Sequence, residues 1–174
     1  MPAEMQRRAR FSRCRRFRTA LGRIWDPSLP TIGFVGLNPS TADARVDDPT
    51  LRRCVGFARR MGGGSLVLVN LFAYRATRPA DLWAVGAPVG PSTDRVLREE
   101  LRLCRTVVLC WGAVPAQAKP RVARVLGMLR RLDVPLVHLG TTKAGHPRHP
   151  LYTRADAPLV LFDAGSAGAF PSRG

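Results

Sequence analysis

The sequence predicts an α/β fold in which one parallel sheet carries helices on both faces. Short apolar runs typical of buried strands alternate with segments whose apolar residues recur at helical spacing. Such alternation favours parallel strands joined by helical crossovers, arranged as a three-layer α/β/α sandwich. Each apolar run ends at a glycine or an asparagine, and ligands of such sheets bind beyond the carboxyl ends of the strands. We therefore expect a central four-stranded parallel sheet with a binding site along its carboxyl edge.

The predicted strands follow one another in a regular order. The stretch "FRTALGRIW", residues Phe17–Trp25, alternates loosely between apolar and polar residues and predicts an N-terminal edge strand. The four parallel strands are predicted at Thr31–Gly36, Leu66–Leu71, Thr106–Gly112 and Val134–Gly140. Their apolar character on both faces is typical of strands covered by helices on both sides.

Three helices are predicted between these strands. The first has Asp48 as its N-cap and Pro49 at its first helical position, followed by apolar residues at helical spacing. The second begins at Ser92 or Thr93. The third lies within "AVPAQAKPRVARVLGMLRRL", where the early prolines delay or kink the first turn.

The length and composition of the chain indicate how many domains it forms and what kind of partner it binds. The chain has 28 lysines and arginines against 12 acidic residues, a net charge of +16, which indicates a polyanionic partner such as nucleic acid. An arginine-rich proteome is the alternative source of this charge. Residues 1–16 are predicted to be a basic flexible arm, residues 17–162 a single domain, and residues 163–174 a disordered tail. No apolar run approaches the roughly 20 residues that cross a bilayer, so we expect a cytoplasmic protein without membrane contact. We also expect the protein to be a monomer.

The spacing of the cysteines and glycines gives little support for a metal or cofactor site. Cys14, Cys54, Cys104 and Cys110 lack the C-x-x-C or Cys/His spacing of a zinc site and are expected to be free thiols. An iron–sulfur cluster held by all four cysteines is the alternative. Neither a Gly-x-Gly-x-x-Gly motif nor a Walker lysine is present, which argues against a dinucleotide or nucleoside triphosphate site. The expectation is therefore no metal and no other cofactor.

Polar side chains stand at the predicted strand ends. Asn38 follows the first parallel strand, Asn70 lies at the end of the second, and His146 and His149 follow the fourth. An amide can pair with a donor and an acceptor at once, as the edge of a nucleobase requires. A histidine beside a carbonyl oxygen can stabilise negative charge that develops there. These residue types predict recognition of a planar polar ligand.

These residues also have structural alternatives. Asn38 before Pro39 can form an Asx-type turn, and the histidines can be surface loop residues. Trp111, at the end of the third parallel strand, is expected to pack and not to stack on a ligand. Ser40 and Thr41 could hold a phosphate if they open a turn with free backbone N–H groups.

The order of four motifs resembles the uracil-DNA glycosylase superfamily: "GLNPS", "LVLVNL", "VVLCWG" and "GHPRHPLY". Over roughly Phe17–Phe162, the segments "RIWDPSLP", "LNPSTAD", "DDPTLRRC" and "VNLFAYRAT" resemble more closely a bacterial family catalogued as domain of unknown function 1643. The glycosylase resemblance implies a four-stranded parallel sheet. It also implies an enzyme that flips a damaged or modified pyrimidine, uracil or a uracil-like base, from DNA and hydrolyses its N-glycosidic bond.

The glycosylase resemblance implies a role for each matching residue. Asn38 would position the attacking water, and Asn70 would read the edge of the flipped base. His146, or His149 in its place, would donate to the base oxygen as the bond to the sugar breaks. The remaining implied residues are Gly36, Leu37, Pro39, Ser40 and Thr41 around the base, Phe57 or Phe72 as the stacking ring, and Lys143, Arg148 and Leu151 at the DNA.

The sequence departs from the superfamily pattern at two of these positions. Asn38 replaces the aspartate, which in related branches goes with weaker hydrolysis, and Ser40 replaces the tyrosine that excludes larger pyrimidines. Two other functions therefore stay open. One is a non-catalytic protein that binds DNA or RNA through the same pocket. The other is an enzyme of free modified nucleosides or nucleotides, which would leave the positive charge unexplained.

Overall fold

A computed structural model describes residues 4–162 of the chain, and the tail predicted over residues 163–174 lies outside them. The strands are β1 (Gln6–Phe11), β2 (Arg18–Ile24), β3 (Thr31–Gly36), β4 (Ser65–Asn70), β5 (Thr106–Leu109), β6 (Leu136–His138) and β7 (Val160–Leu161). The helices are α1 (Pro49–Arg60), α2 (Pro79–Trp83), α3 (Thr93–Leu101) and α4 (Lys119–Leu129). Together they form a mixed α/β fold on one seven-stranded sheet of order β1-β2-β4-β3-β5-β6-β7.

The centre of the sheet consists of parallel strands. β3 pairs in parallel with β4 on one side and with β5 on the other, and β5 pairs in parallel with β6. Gly36 lies opposite Asn70 at the ends of β3 and β4. The residues that follow these strands therefore meet at one edge of the sheet, as the sequence predicts. The last two parallel strands are shorter than expected, because β5 ends at Leu109 and β6 at His138.

The two faces of the sheet bury different sets of residues. Phe34, Leu66 and Leu68 lie in a core cluster with the buried residues of α1. Val35 and Val67 belong to a second cluster that contains the buried residues of α3 and α4. Alternate strand residues point to opposite faces of a sheet. The helices therefore cover both faces of the sheet, with α1 alone on the face that carries even-numbered residues of β3.

The helix starts confirm most of the capping predictions. Asp48 caps α1, and its Oδ1 atom accepts the backbone N–H of Leu51 at 2.8 Å. α3 begins at Thr93, whose hydroxyl donates to the carbonyl of Val89 at 2.6 Å, whereas the side chain of Ser92 makes no capping bond. A 3₁₀ turn precedes α4, as expected from the delaying prolines. The short elements α2 and β7 were not predicted from the sequence.

The N-terminal segment differs from its prediction. Gln6–Phe11 form strand β1, antiparallel to β2, so the flexible arm expected over residues 1–16 is wrong for this segment. Arg8 and Arg10 on this strand bind the carboxylate of Glu100 in α3, at 2.7 Å and 3.1 Å. Because β1 covers it, β2 is not the predicted edge strand but a buried strand between β1 and β4.

Two further predictions concern membranes and metals. None of the helices within residues 4–162 has the length and apolar character needed to cross a bilayer. The cysteines are free thiols, exposed at Cys14 and buried at Cys54, Cys104 and Cys110. Within the same part of the chain, no three side chains of the His, Cys, Asp or Glu type are grouped so that they could hold a metal ion. The four thiols therefore do not come together as an iron–sulfur cluster requires.

Candidate functional site

A cavity of about 690 Å³ lies at the carboxyl ends of the central strands. Its sheet wall includes Gly36 from β3 and both Leu68 and Asn70 from β4. Asp48 and Thr50, at the start of α1, also line the cavity. Small-ligand sites in proteins are typically cavities of about 300–1,000 Å³. This cavity, which we call the strand-end cavity, therefore has room for a nucleobase and more.

Asn38 follows β3, and two hydrogen bonds fix the orientation of its amide. The Nδ2 atom donates to the carbonyl oxygens of Pro39 at 3.0 Å and of Ala76 at 2.8 Å. An amide nitrogen has two hydrogens to donate, so both are engaged. The Oδ1 atom makes no hydrogen bond with any of residues 4–162, and Asn38 lines the strand-end cavity. The site thus offers an acceptor that can hold a water molecule.

Asn70 ends β4 and presents a buried amide to the strand-end cavity. Only 4% of the residue is exposed, and its Nδ2 atom has no hydrogen-bond partner within the described part of the chain. A buried donor without a partner costs about 1–3 kcal/mol, which a ligand carbonyl would recover. A Cβ atom at Gly36 would lie 2.7 Å from Asn70 Oδ1, so a glycine is required there for the amide to keep this position.

Of the two histidines expected at the site, His149 lines the strand-end cavity and His146 does not. The Nδ1 atom of His149 accepts the backbone N–H of Leu151 at 3.3 Å, which leaves the ring hydrogen on Nε2. Burial lowers the pKa of His149, and the nearby charge of Asp48 opposes this only in part. At neutral pH the ring is therefore uncharged and offers a single Nε2–H donor.

The loop that carries both histidines explains this difference. His146 accepts from the backbone N–H of Thr142 at 2.8 Å and donates its own N–H to the hydroxyl of Thr142 at 3.2 Å. Gly145, with φ at +83°, makes the turn between them, a conformation that favours glycine. His146 is 6% exposed and lies outside the strand-end cavity. The structure thus places the alternative histidine, not the first choice, at the cavity.

The two histidines predict how stability depends on pH. Burial lowers the pKa of both His146 and His149 in the folded protein. The unfolded chain, with histidine pKa values of about 6.5, therefore binds more protons once the pH falls through that value. We expect the free energy of unfolding to be nearly constant above about pH 7 and to fall below about pH 6.5, by at most about 1.4 kcal/mol per pH unit for each linked proton.

Urea unfolding at about pH 7.5 and about pH 5.5 measures this dependence. The double variant His146→Asn/His149→Asn is the control, because it lacks the two linked groups and should lose most of the slope between these pH values. A wild-type protein that is equally stable at both pH values would contradict the prediction.

The structure places some predicted site residues at the strand-end cavity and others elsewhere. Those that line it are Gly36, Leu37, Asn38, Ser40, Asn70, Arg148, His149 and Leu151. Those that do not are Pro39, Thr41, Phe57, Phe72, Lys143 and His146. Thr41 and Lys143 are exposed, and buried Pro39 contributes its carbonyl to the bond with Asn38.

The two predicted stacking rings belong to the core. Phe57 is buried with the residues of α1, and Phe72 is buried on the opposite face of the sheet. The ring of Phe72 packs edge-on against Trp83, with 5.2 Å between the ring centroids. Neither ring lines the strand-end cavity, so the stacking role assigned to them is wrong. The hydrophobic spacing of the sequence shows that such rings are buried but not which surface they face.

Several residues of the strand-end cavity had no assigned ligand role. Trp111 is buried, lines the cavity and has no partner for its Nε1–H within residues 4–162. Tyr152 is 81% exposed at the cavity, and its ring centroid lies 5.6 Å from that of His149. Arg18 is buried in the wall. The sequence carried no signal for Arg18, because its segment is predicted to be an edge strand, where a charged residue is ordinary.

Comparison with known proteins places the chain in a family. The model of the family described as "Protein of unknown function (DUF1643)" matches residues 18–151. No curated protein and no solved structure matches the chain. The matched span runs from the first residue of β2 to Leu151, and it therefore contains Arg18, Asn38, Asn70 and His149. Because this span is well over half of the chain, the protein belongs to the DUF1643 family.

Proposed function

We propose that the protein is a DNA glycosylase that flips a uracil-like pyrimidine into the strand-end cavity and hydrolyses its N-glycosidic bond. The observation that carries this proposal is the buried amide of Asn70, which lines the cavity with an unpartnered Nδ2 atom. A base carbonyl can accept from Nδ2 while a ring N–H donates to Oδ1. Both bonds would be made to the edge of one planar ligand, which is how enzymes read a flipped base.

Two other side chains supply the chemistry. Asn38 Oδ1 accepts a hydrogen bond from a water molecule and holds it on the sugar side of the base. The water oxygen bonds to the anomeric carbon as the carbon–nitrogen bond breaks, and the electron pair of that bond goes to the base. The Nε2–H of His149 donates to the base oxygen where this charge collects, and the proton of the water passes to solvent. A preorganised donor of this kind is typically worth about 100-fold or more in rate.

The surface around the cavity suits DNA. Arg148 and Leu151 line the strand-end cavity, and Leu151 and Tyr152 are exposed on the turn that follows His149. An apolar side chain next to arginine can fill the space that a flipped nucleotide leaves in a duplex. The net charge of +16 provides attraction to the phosphates. The four parallel strands have helices on both faces and the cavity at their carboxyl ends. This arrangement agrees with the one that the glycosylase resemblance implies.

A second function is a protein that binds a base without cutting it. The observation in its favour is that Asp48 is the only acidic residue of the described chain that lines the strand-end cavity. Its Oδ1 atom already caps α1, and Asn38 stands where the more active branches of the glycosylase superfamily carry aspartate. Such a protein would recognise a base through Asn70 and leave its bond to the sugar intact.

A base-release assay distinguishes the two functions. The substrates are single-stranded and double-stranded oligonucleotides that carry uracil, 5-hydroxymethyluracil, hypoxanthine or a mismatched thymine. We expect the protein to release a pyrimidine, and we expect His149→Ala to lower the rate by about 100-fold or more. His146→Ala is the matched control, since it removes the neighbouring histidine that does not line the cavity, and it should keep most of the rate.

The outcomes separate the proposals. Equal losses of base release in the two variants would contradict the role of His149. No release from any substrate, together with tight binding that weakens steeply with salt, would refute the glycosylase and support the binding protein. In that case Asn70→Ala should reduce the affinity for one base and leave the salt dependence unchanged.

A further inference from the structure

Arg18 places a positive charge inside the wall of the strand-end cavity. It is the first residue of β2 and is only 2% exposed, yet it lines the cavity. Its Nη1 atom donates to the carbonyl of Ala42, and its Nε atom is buried without a hydrogen-bond partner within residues 4–162. Burial lowers the pKa of Arg18 to about 10, so the guanidinium keeps its charge at neutral pH.

The other fully buried arginine of β2 shows what a structural role requires. Arg23 donates from Nε and Nη2 to Asp47 at 3.0 Å and 2.7 Å, and from Nη1 to the carbonyl of Gly22 at 2.8 Å. Within residues 4–162, the side chain of Arg18 forms no salt bridge with an acidic side chain and makes a single hydrogen bond. A buried charge is unfavourable unless a partner compensates it. The difference between the two arginines indicates that Arg18 lacks a compensating partner within residues 4–162 and can take one from a ligand in the cavity.

The charged side chains that act on Arg18 include two carboxylates and two guanidinium groups, those of Asp43, Asp48, Arg23 and Arg75. Asp48 lines the same cavity, and its charge acts on both Arg18 and His149, but it forms no salt bridge with Arg18. The first turn of α1, a helix of 12 residues, also borders the cavity through Thr50. The N-terminus of a helix carries a partial positive charge. The surroundings of Arg18 therefore favour an anion, with Asp48 as the one opposing charge in the cavity wall.

We propose that Arg18 is an oxyanion-binding subsite, so that the ligand of the strand-end cavity carries a phosphate or carboxylate group. The planar guanidinium suits such groups, because two of its N–H bonds can point at two oxygens of the same anion. The oxyanion can come from the phosphate of the nucleotide or from an acidic substituent on its base. The identity of the base rests on the proposed function, whereas the subsite rests on Arg18 alone.

Titration calorimetry with four probes tests the subsite: inorganic phosphate, deoxyuridine, deoxyuridine 5′-monophosphate and 5-carboxydeoxyuridine. The last three share one nucleoside and differ only in the presence and place of the anion. We expect at least one charged nucleoside to bind about tenfold or more tightly than deoxyuridine, and we expect Arg18→Met to abolish this advantage. Preference for the monophosphate identifies the phosphate as the source, and preference for the carboxylated base identifies the base.

Two further variants keep the test decisive. Arg102→Met removes the same charge from an exposed residue outside the cavity and should leave the advantage intact. Arg18→Lys keeps the charge without the planar pair of donors and should retain only part of the advantage, so it replaces Arg18→Met if that variant does not fold.

The outcomes distinguish failure of the subsite from failure of the proposed function. Charged nucleosides that bind no more tightly than deoxyuridine, or an advantage that survives in Arg18→Met, would overturn the subsite. The absence of binding by all four probes would overturn it as well. Binding of inorganic phosphate that depends on Arg18 would support the subsite even if no base were released from DNA. In that case the proposed glycosylase alone would fail.

Discussion

Asn38→Asp is expected to destabilise the protein by about 2–4 kcal/mol and not to raise the rate of base release. The proposed glycosylase function would suggest the opposite, because the more active branches of that superfamily carry aspartate at the position that Asn38 would match. In this protein, however, Asn38 Nδ2 donates to the carbonyls of Pro39 and Ala76 at 3.0 Å and 2.8 Å. A carboxylate can only accept, so the substitution would set a negative oxygen against two carbonyl oxygens and leave both without their donor.

The pH dependence of this variant provides a sharper test than its stability alone. The unfavourable contacts of the charged form raise the pKa of the new carboxyl group in the folded state above its value in the unfolded chain. The folded variant then binds more protons than the unfolded one, so this group destabilises the fold less as the pH falls. The loss of unfolding free energy relative to the wild type should therefore shrink toward about pH 4, where the protonated carboxyl group can donate to one of the two carbonyls.

Urea unfolding of Asn38→Asp and Asn38→Ala between about pH 4 and about pH 8 measures both effects. The alanine variant loses the same hydrogen bonds without adding a charge. Its loss of unfolding free energy relative to the wild type should therefore not change as the pH passes through the pKa of a carboxyl group. A variant Asn38→Asp with wild-type stability and faster base release would show that the loop after β3 accepts aspartate. Asn38 would then be a weaker substitute for a catalytic carboxylate and not an amide whose orientation the loop requires.

The elements that the sequence predicted well are those whose signals are local. The parallel strands are continuous apolar runs, and α1 begins at an acidic cap followed by proline, so each element is recognisable within a few residues. The placement of Asn38 and Asn70 at one cavity followed from the rule that the carboxyl ends of parallel strands meet. That inference requires only the order of the strands along the chain.

The features that the sequence did not predict depend on contacts between distant segments. Strand β1 contains three arginines in six residues and has no alternating apolar pattern, and two of these arginines bind Glu100, about 90 positions away. The assignment of Phe57 and Phe72 failed because helical or strand spacing identifies buried residues without saying whether they face a cavity or the core. The choice between His146 and His149 depended on the turn at Gly145, which short motifs do not specify.

Arg23→Met is expected to lower the free energy of unfolding by about 3–5 kcal/mol, a large part of the stability of a domain of this size. The side chain of Arg23 is fully buried and binds the carboxylate of Asp47 at 2.7 Å. Its Nη2 atom also donates to the carbonyl of Asp43 at 2.6 Å. Removal of the guanidinium takes this donor from the carbonyls of Gly22 and Asp43, and it leaves the largely buried carboxylate of Asp47 with a partly exposed arginine in place of its buried partner. This loss costs more than the salt bridge itself contributes.

Arg7 is the matched control for this variant. It binds the same oxygen of Asp47 at 3.1 Å, but its side chain is 39% exposed. Exposed ion pairs contribute about 0–1 kcal/mol, so Arg7→Met should change the stability by no more than that. Similar losses of unfolding free energy in the two variants, measured by urea unfolding, would contradict the claim that burial sets the cost.

Arg23 also holds the segment between Asn38 and Asp48, two residues of the strand-end cavity. Arg23→Met should therefore weaken ligand binding even at temperatures where the variant remains folded, whereas Arg7→Met should not.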